Sequence, residues 1–101
     1  MQVNVIMNAG TVDLRLSGRF DFNAHREFRN AYEPAIADAQ VRALNVDMGG
    51  VDYLDSSALG MLLMLRDKAG AANKAVALIN VHGQVKQVLE IVNFGKIFRI
   101  A

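Results

Sequence analysis

The chain has 101 residues, of which 52% are apolar and 21% charged, and its formal net charge at neutral pH is +1. This length suits one domain with its own core and is too short for two, so we expect residues 1–101 to form a single domain. The near balance of 11 basic and 10 acidic residues gives no electrostatic preference for nucleic acid or an anionic membrane, and neither is expected as a partner.

The residue types that usually build disulfide or metal frameworks are scarce. Cysteine is absent, and the two histidines, His25 and His82, lie far apart without ligand spacing. Apolar runs such as 61–65 are far shorter than the ~20 residues that span a bilayer, and the N-terminus has no basic region of a signal peptide. We therefore expect a cytoplasmic protein without cofactor, metal or direct membrane binding.

Alternating apolar and polar residues at the N-terminus predict a β-hairpin. The two alternating sets are Val3, Val5 and Met7, and then Val12, Leu14 and Leu16. Asn8-Ala9-Gly10 between them supplies turn chemistry. A period of two predicts that each strand has one buried face and one wetter face, so helices should cover mainly one side of the sheet.

A first helix is predicted after the hairpin, with Asn23 as its cap. Its apolar face consists of Phe28, Ala31, Tyr32 and Ala35. Pro34 lacks an N–H and its ring clashes with the preceding turn. We therefore expect a bend near Asn30 or a break before Pro34, with helical character resuming over residues 35–39.

The rest of the chain predicts further strands and helices in alternation. Residues 43–48 alternate as a strand, and Gly49-Gly50 should loosen the chain after it. Residues 75–81 suit an interior strand parallel to the previous one, an amphipathic helix opens at Gly83 and ends at 93–95, and a short strand covers 96–100. The expected fold is α/β (α+β-like), in the order β-β-α-β-α-β-α-β, with a small mixed sheet of about five strands and helices mainly on one face.

The central helix carries the strongest local signals. Asp55 can accept hydrogen bonds as its N-cap, while Leu54 and Leu59 have the spacing of a hydrophobic staple. Ser56 then becomes the first helical residue, where the free N–H groups and the helix dipole favour a phosphate. The helix should run to about Ala69, with Gly70 near its C-terminal cap.

In most proteins, Asp-Ser-Ser before an apolar run is only a helix cap. Two features point further. The run after the cap, residues 58–65, is apolar on nearly every face, so the helix is either buried all round or partly covered by a partner. Gly60 suggests close approach by the sheet or a partner. Met61 and Met64 would then either both lie in the core or form an adaptable contact surface for that partner.

Catalytic motifs are mostly missing. Ser56 with one histidine and one aspartate could in principle form a hydrolase triad, but the Gly-x-Ser-x-Gly elbow is absent. No nucleotide-binding glycine pattern occurs. The aspartates at strand ends, Asp21, Asp47, Asp52 and Asp55, are typical of turns. An enzyme is therefore not expected.

Two motifs and the element order resemble the STAS domain of bacterial anti-sigma factor antagonists. The motifs are Gly18-Arg-Phe-Asp21 after the second strand and Asp55-Ser-Ser-Ala-Leu-Gly60 at the central helix. The end of the chain, from Leu89 to Ile100, is similar to the closing helix and strand of the family. Phe20 replaces a common aliphatic residue and Ala58 a common glycine, and neither departure alters the assignment.

The resemblance implies a partner-switching regulator. It implies phosphorylation of Ser56, with Ser57 as a minor alternative, by a partner that is both serine kinase and anti-sigma factor, and removal of the phosphate by a PP2C-type serine phosphatase. Asp21, Asp55, Ser56, Ser57, Gly60, Met61 and Met64 are the expected partner-binding or motif residues. A constitutive structural subunit of a membrane-associated transport or signalling assembly is the alternative function that the family offers.

Overall fold

The computed structural model describes all residues from 1 to 101, and it contains one five-stranded sheet and three α-helices. In chain order the elements are β1 (Gln2–Asn8), β2 (Thr11–Phe20), α1 (His25–Ala37), β3 (Ala43–Leu54), α2 (Ser56–Ala71), β4 (Ala75–Ile79), α3 (Gly83–Ile91) and β5 (Arg99–Ile100). Short 3-10 turns at Phe22–Ala24 and Phe94–Lys96 precede α1 and β5. The predicted element order and fold class are confirmed.

The strands lie in the sheet in the same order as in the chain, from β1 to β5. β1 pairs antiparallel with β2, whereas β2 to β5 are parallel neighbours. Because parallel crossovers are right-handed and the strand order always advances in one direction, α1, α2 and α3 lie on the same face. The burial pattern of β2 agrees, since Val12, Leu14 and Leu16 are buried and Arg15 and Ser17 are exposed.

The predicted hairpin is confirmed, but its first strand is not half-buried. Ala9 and Gly10 form the turn with φ values of 49° and 91°, the pattern of a two-residue type I′ turn. Val3 is partly buried, whereas Val5 and Met7 on the same face are exposed. β1 is the outer strand, whereas the buried core is centred on β2 and β3. The core therefore does not cover the second half of β1.

The predicted break at Pro34 is wrong, because α1 continues without interruption to Ala37. Pro34 lies in the last turn, where its missing N–H removes only one bond, to the carbonyl of Asn30. The buried side chains of Phe28 and Tyr32 pack with ring centroids 5.3 Å apart and anchor the preceding turns on the core. Tertiary packing therefore outweighs the local preference against helix.

Gly49 and Gly50 do not end the third strand, which continues through them to Leu54. The pairing of β2 with β3 shifts register between Arg15 and Ser17, at the point where Ser17 pairs with Gly50. A Cβ on Gly50 would lie 2.8 Å from the carbonyl oxygen of Leu16, closer than real contacts allow. Glycine is therefore required here by the close approach of two backbones at a β-bulge.

The predicted cap of α1 at Asn23 is wrong, since α1 begins at His25 after Ala24, which makes no side-chain capping bond. Three other boundaries also differ from the sequence prediction. α2 extends to Ala71, and the left-handed residue after it is Asn73, with φ of 59°, rather than the expected glycine at 70. β4 stops at Ile79 because Asn80 also has a positive φ. β5 has only two residues, since residues 94–96 form a 3-10 turn and the phenylalanines at 94 and 98 are buried in the core.

Candidate functional site

The site is built where β2 and β3 end side by side. Phe20 pairs with Leu54, and the backbone N–H of Asp55 donates to the carbonyl oxygen of Phe20 at 3.3 Å. Because the two strands are parallel, the residues that follow them meet at the same edge of the sheet. This geometry brings Asp21 and Asp55 together from the two motifs that the sequence singled out.

Asp55 is the N-cap of α2, as predicted. Its backbone is extended, with φ of −115° and ψ of −177°, and its Oδ1 accepts a hydrogen bond from the N–H of Ala58 at 3.0 Å. Leu54 is buried and Leu59 packs partly buried against the core, in agreement with a hydrophobic staple. Local sequence therefore determines where α2 begins.

Asp21 performs the same capping task for the neighbouring 3-10 turn. Its Oδ1 accepts from the N–H of Asn23 at 3.0 Å, and its Oδ2 lies 3.6 Å from Nε of Arg19. The guanidinium of Arg19 also lies 4.0 Å from the ring centroid of Tyr53. Asp21 and Asp55 thus both shape the backbone at this edge and add negative charge to it.

Ser56 is the first residue of α2 and its side chain is exposed, whereas Ser57 is half-buried. A modifying enzyme can approach the hydroxyl of Ser56 more freely than that of Ser57. The dipole of a 16-residue helix also has its positive end here. An anionic group on Ser56 would therefore lie in a favourable position within the fold.

α2 is not buried all round, although residues 58–65 include no polar side chain. Its core side consists of Ala58, Met61, Leu62, Leu65 and Ala69. On its solvent side, where Arg66 is also exposed, we call one set of residues the α2 stripe: Ser56, Gly60, Leu63, Met64 and Asp67. Leu63 and Met64 are 37% and 47% exposed, so apolar surface remains uncovered next to the serine.

The two methionines separate between these sides. Met61 is 6% exposed and belongs to the core, which corrects its assignment as a partner contact. Met64 lies on the α2 stripe and is available to a partner. A Cβ on Gly60 would meet no atom within 4 Å, so the sheet does not require a glycine there. Of the two reasons considered for Gly60, close approach by the sheet is therefore wrong, and close approach by a partner stays a prediction.

Phe22 is a neighbour of the site that the sequence analysis did not assign. It lies in the 3-10 turn directly after Asp21, its side chain is 72% exposed, and α2 contacts this turn. The spacing of the two phenylalanines in the sequence was a signal for this exposure. Phe20 occupies the buried position at the end of β2, so Phe22, beyond the cap at Asp21, has no place in the core.

The histidines do not join Ser56. Nε2 of His82 lies 3.0 Å from the carbonyl oxygen of Gly49. His25 is an exposed residue at the start of α1. No group of three or more potential metal ligands comes together. None of the helices combines the length and apolar character needed to cross a bilayer.

The family model described as Mlab, STAS domain, matches residues 3–99. The chain belongs to the STAS domain family. A STAS-domain containing protein of Pseudomonas aeruginosa (strain UCBPP-PA14) is 47% identical to it over 88 residues, which cover 87% of this chain and 85% of the relative. The family resemblance carried by the Asp21 and Asp55 motifs is thereby confirmed.

Solved structures share the architecture of this STAS domain. The anti-sigma factor antagonist SpoIIAA, in its unphosphorylated form, is similar with a TM-score of 0.76 and 23% identity, covering 98% of this chain and 86% of that chain. The phosphorylated form of SpoIIAA from Bacillus is similar with a TM-score of 0.75 and the same 23% identity, covering 98% of this chain and 90% of that chain. A sulfate transporter family protein from Wolinella succinogenes is similar with a TM-score of 0.78 and 13% identity, covering 94% of this chain and 79% of that chain. At these identities the likeness concerns the fold alone.

Proposed function

We propose that this STAS domain is an anti-sigma factor antagonist, a binding module of the cytoplasm rather than an enzyme. Unphosphorylated, it sequesters an anti-sigma factor that is also a serine kinase; phosphorylated on Ser56, it releases that partner. The observation that carries the proposal is the exposed Ser56 at the head of the partly apolar α2 stripe. The existence of SpoIIAA in phosphorylated and unphosphorylated forms within the same fold supports it.

The charge balance gives the switch a physical basis. Phosphorylation adds about −1.5 to −2 charges at Ser56, next to the carboxylate of the N-cap residue Asp55. A partner that covers the α2 stripe removes water from the phosphate and meets this concentrated negative charge. If the penalty is about 3–4 kcal/mol, affinity falls by roughly two to three decades, since about 1.4 kcal/mol is tenfold.

The reverse reaction requires a second partner. A PP2C-type serine phosphatase would remove the phosphate from Ser56 and restore binding. The exposure of Ser56 favours access by both enzymes, whereas Ser57, being half-buried, is the poorer acceptor. Nucleic acid and membrane lipid have no role in this cycle.

The test compares two variants of the acceptor with a matched control. The kinase partner is captured from cell extract with the tagged domain, purified and titrated by calorimetry. We expect Ser56→Ala to bind like the unmodified protein and to resist phosphorylation, and Ser56→Asp to bind at least about tenfold more weakly. Ser57→Ala should bind and be phosphorylated normally. Equal affinities of Ser56→Ala and Ser56→Asp would contradict the switch.

A constitutive structural subunit of a membrane-associated assembly is the second candidate. The similarity to a sulfate transporter family protein favours it. Such a subunit has no use for a modified serine. Mass spectrometry of the protein from growing cells therefore separates the two functions, because only the switch requires a population phosphorylated on Ser56.

A further inference from the structure

The two edges of the sheet are protected very differently. β5 is only two residues long, contains Arg99 and begins three residues after a 3-10 turn ends. β1 has seven residues, all of which pair with β2 without a register shift, and its outer side pairs with no strand. Short length, charge, proline and bulges are the usual devices that block an edge, and β1 has none of them.

The composition of β1 is that of an interior strand. Gln-Val-Asn-Val-Ile-Met-Asn contains no charged residue, and the only other uncharged strand is β4, which is paired on both sides. Val5 and Met7 are 49% and 59% exposed on the helix side, and Ile6 is 37% exposed on the opposite side. Both faces of this edge therefore present apolar surface beside free backbone hydrogen-bonding groups.

We propose that β1 is a self-association edge, on which a second copy of this chain adds its own β1 antiparallel to form a continuous ten-stranded sheet. A two-fold axis at Val5 pairs all seven residues of each strand. Val5 then faces its own copy and Val3 faces Met7 on the helix side. On the other side Gln2 faces Asn8 and Asn4 faces Ile6.

The absence of charge favours a second copy as the occupant. A two-fold axis brings each central residue close to itself, so any lysine or glutamate in the middle of β1 would meet a like charge. Two members of these apolar pairs, Val5 and Met7, are side chains that the core leaves exposed. The interface of two seven-residue strands is small, so we expect a weak dimer rather than a permanent one.

Sedimentation of the full chain from about 10 μM to about 1 mM tests the proposal, because a small interface gives weak association in this range. The unmodified protein should shift from monomer to dimer. Val5→Lys should weaken the dimer about tenfold or more, since two ammonium groups then meet at the axis. The matched control is Ile91→Lys, which places the same charge on a side chain that is 78% exposed on α3 and should leave the dimer intact.

A charge-exchange experiment separates pairing from misfolding. Val5→Lys and Val5→Glu should each be monomeric with unchanged melting curves, and an equimolar mixture should dimerise again. If Val5→Lys unfolds, Met7→Lys, at the more exposed position, takes its place in mixtures with Val3→Glu. A monomeric unmodified protein at every concentration, or a Val5→Lys dimer as strong as the original, would overturn the proposal.

Discussion

At the scale of single residues, Phe22 is the clearest addition that the structure makes to the site. Its side chain is 72% exposed next to α2, so its removal should change the free energy of unfolding by less than about 0.5 kcal/mol. If the α2 stripe binds the kinase partner, an aromatic ring at its border should contribute strongly. We expect Phe22→Ala to weaken partner binding about tenfold or more in calorimetric titration.

Ile91→Ala is a suitable control for Phe22, because Ile91 is 78% exposed on α3 and also apolar. It should leave partner affinity unchanged within a factor of about two, as a surface position outside the interface. If Phe22→Ala and Ile91→Ala have the same small effect, Phe22 does not belong to the interface.

At the scale of the element, the two methionines of α2 provide a matched pair. Met61 is 6% exposed, so Met61→Lys forces a charge into the core and should destabilise the fold by about 2–4 kcal/mol. Met64 is 47% exposed, so Met64→Lys should change stability by less than about 0.5 kcal/mol and instead weaken partner binding. Thermal melting and pull-down with the kinase partner measure the two effects.

The opposite pattern would contradict this division of α2. A strongly destabilised Met64→Lys would mean that the α2 stripe packs against the protein itself. A stable Met61→Lys with reduced binding would place Met61 in the interface after all.

At the scale of the whole molecule, phosphorylation should leave the fold and its stability nearly unchanged. The N-terminus of α2 stabilises a phosphate on Ser56 by about 0.3–1 kcal/mol, and repulsion by the nearby aspartates in water is of similar size. The net change should stay within about 1 kcal/mol, a shift of a few degrees in melting temperature. The switch therefore acts on binding, since only a complex removes water from the phosphate.

Melting curves and amide NMR spectra of both forms test this expectation. The changes should be confined to the neighbourhood of Ser56 and the start of α2. A stability loss of several kcal/mol, or shifts spread over the sheet, would mean that the phosphate refolds the domain and that local electrostatics are not its mechanism.

The sequence by itself determined the features that depend on neighbouring residues. The cap at Asp55, the start of α2 at Ser56 and the turn of the hairpin follow from side-chain oxygens and backbone conformations within a few residues. The element order follows from apolar periodicity. For the same local reason, the Asp21 and Asp55 motifs are recognisable from the order of the amino acids alone.

Tertiary structure alone decided the features that depend on contacts between residues far apart in the sequence. The close approach of the Leu16 carbonyl explains why residue 50 within β3 is glycine, and packing on the core explains why α1 continues through Pro34. The orientation of α2 on the sheet buries Met61 and exposes Met64, and the uniformly apolar run of residues 58–65 does not encode this orientation. The exposed edge of β1 likewise follows from its place in the strand order, because alternation predicts a buried face without saying what covers it.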